Sequence, residues 1–228
     1  MNSNDITQKL ILLSDEGYKT FSQKLINTSF PILGVRAPDL KSFAKLLARE
    51  DYSGNLQRIS DESHEHIMLQ GLIIAYAKSD LSEKFALLDT FVPKIDNWAV
   101  CDSVCAAMKF RENELSETFG YINSFSGSEK EFELRFFIVM ILDHFTGYLS
   151  PERIFRICEN VDCGKYYVAM AVAWLISVCA VKFPEQTLVF LKKNTLDTFT
   201  HNKAVQKSLE SLRTDTDIKN QLRELKRR

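Results

Sequence analysis

The stretch Asp96-Asn97-Trp98-Ala99-Val100-Cys101-Asp102-Ser103-Val104-Cys105-Ala106-Ala107-Met108-Lys109 decides how the rest of the chain is read. It is mostly apolar and predicts a helix, on which Trp98 and Asp102 lie one turn apart on a shared face. The spacing around it is regular. His64, Trp98, Phe132 and Tyr166 follow one another at intervals of 34 residues, each near the start of the second helix of a pair. A helix-pair period in the mid-thirties predicts an all-α fold of the α-solenoid kind, curved, with its inner helices lining a concave groove. An irregular helical bundle is the competing arrangement. In this register Asp102 lies four residues after one marker and Arg135 three residues after the next, so the two project from adjacent inner helices and can share one site.

Composition agrees with helices. Eight Gly and five Pro in 228 residues leave little material for hairpins, and 45% hydrophobic with 26% charged content is ordinary for a globular chain. The length suits one domain over residues 1–228, either a compact core or a short repeat array. The net charge of −1 hides an asymmetry. From His201 onward eight Lys and Arg face four acids, a net +4, which leaves −5 on the first 200 residues. Such a tail is either a solvated helix end or a surface for an anionic partner.

Other classes find little support. The five cysteines have no close pair of metal-ligand spacing, so no zinc site is expected. The start, Met1-Asn2-Ser3-Asn4-Asp5, lacks the basic and apolar regions of an export signal, which predicts a cytoplasmic protein with reduced thiols. Tyr166 to Val181 is the most apolar run, but its 16 residues fall short of the roughly 20 that a membrane span needs. It predicts a buried helix. Glycine-rich phosphate loops, zinc-protease helices and Gly-x-Ser-x-Gly elbows are absent, and no cofactor is expected. His64 and His66, two residues apart, point to different helix faces and do not suit a shared metal; they are expected at surface or helix-lining positions. Cys101 and Cys105 are expected as small buried hydrophobes.

Along the chain, helices are predicted over Asp5 to Leu13, Gly17 to Ile26, Pro38 to about Glu50, Leu56 to Ile59, Glu62 to Lys78 and Leu81 to Val92. After the opening stretch come Glu112 to Phe125, Ser128 to Phe145, Pro151 to Val161, Gly164 to Val181, Pro184 to Leu191, and a final helix from Thr200 to about Leu225. Asp80, three residues before Glu83, is a cap-like start, and Pro38 suits a first turn.

Trp98, Asp102 and Arg135 supply an aromatic face, an anion and a cation with no nucleophile close by in sequence. An anion beside an aromatic face stabilises a developing cation by Coulomb attraction and cation–π contact, and an arginine can hold a phosphate or carboxylate in a bidentate bond. A salt bridge between Asp102 and Arg135, with Trp98 packed in the core, uses the same residues without chemistry.

Five segments resemble the AlkD-like DNA alkylation repair family, built of HEAT-like helical repeats. They are Ile32-Leu33-Gly34-Val35-Arg36-Ala37-Pro38-Asp39-Leu40, Asn97-Trp98-Ala99-Val100-Cys101-Asp102, Leu134-Arg135-Phe136-Phe137-Ile138-Val139, Tyr166-Tyr167-Val168-Ala169-Met170-Ala171-Val172-Ala173-Trp174 and Thr200-His201-Asn202-Lys203-Ala204-Val205-Gln206-Lys207. The similarity runs from about Tyr18 to the end, and its weight lies in the order of the five. The resemblance implies a DNA glycosylase of base excision repair that hydrolyses the N-glycosidic bond of cationic alkylated purines, 3-methyladenine and 7-methylguanine, in duplex DNA. By that resemblance Asp102 stabilises an oxocarbenium-like sugar and helps position water, Trp98 contacts the sugar, Arg135 holds the backbone, and Trp174 is similar to a further groove-lining tryptophan. The base stays in the duplex, whereas many glycosylases flip it out. With so low a net charge, DNA contacts are expected from a few residues: Arg36, Lys109, Arg111, Arg135, Lys165, Lys203 and Arg213. No metal or membrane partner is expected, and a monomer is, since isolated lesions need no symmetric partner. Two other functions fit a chain of this kind: a catalytically inactive DNA-binding repeat protein that recognises damaged or branched DNA, and a protein-binding helical scaffold favoured by the acidic first 200 residues.

Overall fold

The structure is a computed structural model that describes residues 2–228. Among these the regular structure is helical, the one β-type pairing being an isolated bridge between Ser14 and Val35. Thirteen α-helices follow in order: α1 (Ser3–Leu13), α2 (Glu16–Gln23), α3 (Ala37–Arg58), α4 (His64–Tyr76), α5 (Leu81–Phe91), α6 (Trp98–Ala107), α7 (Leu115–Asn123), α8 (Glu131–Met140), α9 (Pro151–Asn160), α10 (Tyr166–Lys182), α11 (Pro184–Lys193), α12 (Thr198–Glu210) and α13 (Thr216–Arg223). They form two compact units, the first ending at Glu114 and the second spanning Leu115–Arg228.

The 34-residue register holds in the helix starts. His64, Trp98 and Tyr166 are the first residues of α4, α6 and α10, Phe132 is the second of α8, and α12 opens two residues before the next step of the period. Each unit follows the packing this implies. In the first, α4 lies between α3 and α6; in the second, α10 lies between α8 and α12. A helix with neighbours on both sides must be apolar all round. Accordingly every α4 residue from His64 to Ala75 is buried, and α10 buries Val168, Val172, Leu175, Ile176 and Cys179. The helices on the outside are amphipathic. On α9 the buried residues are Ile154, Phe155 and Cys158, one stripe, while Glu152, Arg153, Arg156 and Glu159 face solvent.

Local chemistry sets the boundaries. Asp15, Ser63, Asp80, Asn97, Ser150, Asp197 and Asp215 each cap a helix by accepting a backbone N–H from its first turn. Pro38, Pro151 and Pro184 stand in first turns, where their missing N–H costs nothing. Gly71 lies where α4 meets α5 and α6 at closest approach: a Cβ there would collide with Phe91 and Val104.

Three boundaries differ from the sequence expectation. The segments expected as separate helices up to Glu50 and over Leu56 to Ile59 are one element, α3, kinked at Asp51, whose backbone leaves the helical region (φ −162°, ψ 81°). Past Met140 the helix expected to run to Phe145 widens into a π-turn over Ile141–Phe145, which keeps Ile141 and Phe145 fully buried. The final helix expected from Thr200 to about Leu225 is two, α12 and α13. Leu212, 98% exposed, has no core to enter, Ser211 Oγ accepts the Arg213 N–H at 3.3 Å, and Asp215 starts α13 by accepting the Asp217 N–H at 2.8 Å. No helix of the described residues is long and apolar enough to cross a membrane.

Candidate active site

Asn97 determines where α6 begins. Its side-chain oxygen accepts the Val100 N–H at 3.1 Å, so Trp98 becomes the first helical residue and Asp102 stands one turn below it on the same face. The opposite face carries Val100, Cys101, Val104 and Cys105 into the core, all 0% exposed. Trp98 and Asp102 are half-buried and open together into a recess of about 240 Å³ in the first unit, whose apolar wall includes Tyr18, Phe21, Leu25 and Met68.

The wall is fixed by polar anchors. The Trp98 indole N–H donates to the Leu25 carbonyl at 3.3 Å, just past the end of α2. Asp96 holds the next turn of chain: its carboxylate accepts from Thr28 Oγ1 (2.8 and 2.9 Å), Ser29 N (2.7 Å) and Ser29 Oγ (2.8 Å). Burial alone would raise the Asp96 pKa, but the hydrogen bonds from Asn97, Ser29 and Thr28 outweigh it and keep the carboxyl below its ordinary value. On the other side, Glu65, 2% exposed, accepts three backbone N–H groups: Leu33 at 2.8 Å, Gly34 at 2.7 Å and Val35 at 3.2 Å. This draws the loop before α3 down onto α4. Gly34 has φ +95°, and a Cβ on it would lie 2.6 Å from the Asp15 carbonyl oxygen, so the loop requires glycine at that point.

His64 and His66 are buried, contrary to the expected surface or helix-lining places. Asn97 Nδ2 lies 3.2 Å from His64 Nδ1, and His66 bridges Ser63 Oγ (2.8 Å) and Thr7 Oγ1 (3.0 Å). Burial holds both imidazoles below their ordinary pKa, which favours the neutral ring beside the recess.

The remaining residues singled out in the sequence fall into three places. Arg36 stands at the rim of the same recess, 3.1 Å from Asp15 and over the Tyr18 ring at 5.0 Å. Lys109 and Arg111 are exposed after α6, Arg111 paired with Glu114 at 3.7 Å. The others belong to the second unit. Arg135, on α8 and 6% exposed, donates from Nη1 to the Tyr167 carbonyl at 2.7 Å. Lys165 donates to the Glu129 carbonyl, and Lys203 lies over the Phe199 ring at 5.8 Å. Trp174 and Arg213 come together in a second recess, of about 380 Å³, along with Lys182 and Lys207. Neither lysine was singled out in the sequence as a site residue. Their signal was spacing, since Lys182 follows Trp174 by eight residues and Lys207 follows Lys203 by four.

A larger opening of about 770 Å³ in the second unit does not suit a polyanion. It is lined by Glu159, Asp162 and Asp197, whose carboxylates hold the Thr195, Gly164 and Thr200 N–H groups. Its Cys163 thiol is pushed up to about 11 by burial, a poor nucleophile. Among the described residues no group of three or more His, Cys, Asp or Glu is placed to hold a metal ion.

A carboxylate beside an indole at the mouth of an apolar recess suits stabilisation of a cation, and here it is carried on stacked helix pairs, so the class is a helical-repeat protein with a cation-stabilising site. The chain belongs to the family of DNA alkylation repair enzymes, whose model matches residues 6–209. No individual curated protein matches the chain. The match spans both recesses, α6 and α8, and all five segments that carry the resemblance, except that it begins before Tyr18 and stops within α12.

Proposed function

We propose that the protein is a DNA glycosylase that hydrolyses the N-glycosidic bond of cationic alkylated purines, 3-methyladenine and 7-methylguanine, in duplex DNA, as a monomer in base excision repair. The observation that carries this reading is the shared face of Trp98 and Asp102 opening into one recess in a chain of the alkylation repair family. An alkylated purine already bears positive charge. When its C1′–N bond breaks, the bonding pair leaves with the base, which departs neutral, and the positive charge passes to the sugar. Water adds at C1′ and one proton is released to solvent. No strong acid is needed; what lowers the barrier is an anion fixed beside the sugar in a site partly closed to water. Asp102 takes that role and helps orient the water, Trp98 packs against the sugar, and Arg135 holds the backbone. The anchors around the recess keep Trp98 and Asp102 in place before the lesion arrives, so little reorganisation is needed at the transition state.

Release of free 7-methylguanine from methylated duplex DNA tests this. Asp102→Asn keeps the shape of the side chain and removes its charge, and should lower the rate by about 10² to 10³, the usual effect of losing one preorganised electrostatic group. Equal release by wild type and variant, or none above the spontaneous rate, would overturn the proposal.

A further inference from the structure

We propose that the recess beside Trp174 in the second unit is a phosphate-binding site, gripping the backbone of duplex DNA through Lys182, Lys207 and Arg213. This rests on the reading of the protein as a binder of duplex DNA and names the residues by which the second unit holds it.

Geometry and charge support it together. Trp174 heads a stripe on α10, followed at helical spacing by Val178 and Val181, that forms an apolar wall of the recess. Three cations come to this wall from three separate places: Lys182 from the end of α10, Lys207 from α12, and Arg213 from the linker between α12 and α13. Only one acid, Glu210, lines it, and that carboxylate accepts a hydrogen bond from Gln206 Nε2 at 2.7 Å. Among the described residues neither Lys207 nor Arg213 has a carboxylate at ion-pairing distance. Lys182 is lightly held, its Nζ donating to Thr146 Oγ1 at 2.6 Å. Ser211 adds a hydroxyl at the rim.

The other basic residues near the C-terminus are differently committed. Arg227 donates to the carbonyls of Leu196 (2.5 Å) and Asn194 (2.7 Å), tying the tail down. Lys182 and Lys207 stand in last helical turns, where a cation also opposes the helix dipole. Arg213 has no such duty, because it lies outside any helix, yet it turns to the same recess. Three convergent cations against a wall that excludes water suit a phosphodiester, whose charge is strengthened in its attraction as the local dielectric falls.

The test is the affinity of the full-length protein for an undamaged duplex, measured by fluorescence anisotropy over a series of salt concentrations. Each phosphate contact contributes about 0.9 to the slope of log affinity against log salt. Lys207→Gln with Arg213→Gln should lower the slope by about two, Arg213→Gln alone by about one, and Lys193→Gln on α11, an exposed lysine away from the recess, should leave it unchanged. Arg213→Gln removes a linker side chain, so it decides the matter even if the double variant folds poorly. An unfolding midpoint that falls with an unchanged slope would mean that these cations only serve the helix ends, and would overturn the proposal. So would an equal loss in Lys193→Gln. If wild type shows no salt-dependent affinity, the duplex-DNA reading falls with it; if wild type binds with a steep slope and releases base while the variants match it, the recess alone is refuted.

Discussion

Glu65→Gln tests whether the loop at the rim of the Trp98 recess is held by a buried charge. The wild-type carboxylate offers two oxygens to three N–H groups, Leu33 on Oε2 and Gly34 and Val35 on Oε1. Glutamine keeps the shape but only one acceptor atom. In its better orientation the amide oxygen serves Gly34 and Val35, and the NH₂ group then faces the Leu33 N–H, donor against donor. An unsatisfied buried donor costs about 1–3 kcal/mol, and the surviving bonds lose their charge assistance, which roughly doubles the strength of such bonds. Together these give a loss of about 3 kcal/mol. For a chain of 150–250 residues each kcal/mol moves the midpoint by about 2–4 °C, so Tm should fall by about 6–12 °C. Scanning calorimetry reads it directly. A shift under about 2 °C would refute the reasoning, since it would mean that water satisfies the loop and the buried glutamate does not hold it.

Gly34→Ala should destabilise by about 2 kcal/mol or more, from the left-handed backbone together with contact on the Asp15 carbonyl and Lys19, and urea unfolding checks it. Stability should fall as pH drops below about 6.5. His64, His66 and His201 all have pKa values lowered by burial in the folded state, so between the folded and unfolded values the unfolded chain binds more protons, and each contributes a slope of up to about 1.4 kcal/mol per pH unit. A midpoint flat from pH 7 to pH 5 would contradict this. Asp96 and Asp197, held below the ordinary carboxylate value chiefly by hydrogen bonds that outweigh their burial, add stability above about 3.8 that is lost only as pH falls through their folded values. Thiol titration of the native protein at pH 8 should be slow: burial pushes Cys163 up to about 11 and Cys179 up to about 12, leaving a thiolate fraction of about a thousandth or less, and fast labelling of either would show that the second unit opens readily.

Periodicity made the fold legible. The interval of 34 residues from His64 to Tyr166 marks the starts of four helices because each occupies the same place in a stacked pair, where an apolar residue just inside the cap meets the neighbouring layer. What periodicity missed was punctuation. Ser211, Thr214 and Asp215 stop α12 by hydrogen bonding to backbone, while the surrounding Leu209, Leu212 and Leu222 keep a helical rhythm that carried the expected helix straight through. At the candidate site the pairing of Trp98 with Asp102 needed only the turn of one helix and was readable. Glu65 was not, since its partners are backbone groups 30–32 residues away, and a side chain that bonds to backbone leaves no pattern of residue types. The anchoring of Thr28 and Ser29 by Asp96 escaped for the same reason: a cap-like Asp beside Asn97 reads as ordinary helix entry.

That anchoring bears on the order in which the first unit assembles. Most contacts between helix pairs step about one repeat along the chain, but Leu25 meets Trp98 and Thr28 and Ser29 meet Asp96 across 67–73 residues, twice that step. Closing a longer loop costs more entropy before any bond is gained. The recess is therefore completed after α4 and α6 have docked, and it opens before they separate. Amide exchange at Ser29, the residue whose N–H rests on Asp96, would report that opening ahead of the unfolding of α4, which makes the wall of the site the least protected part of an otherwise tightly layered unit.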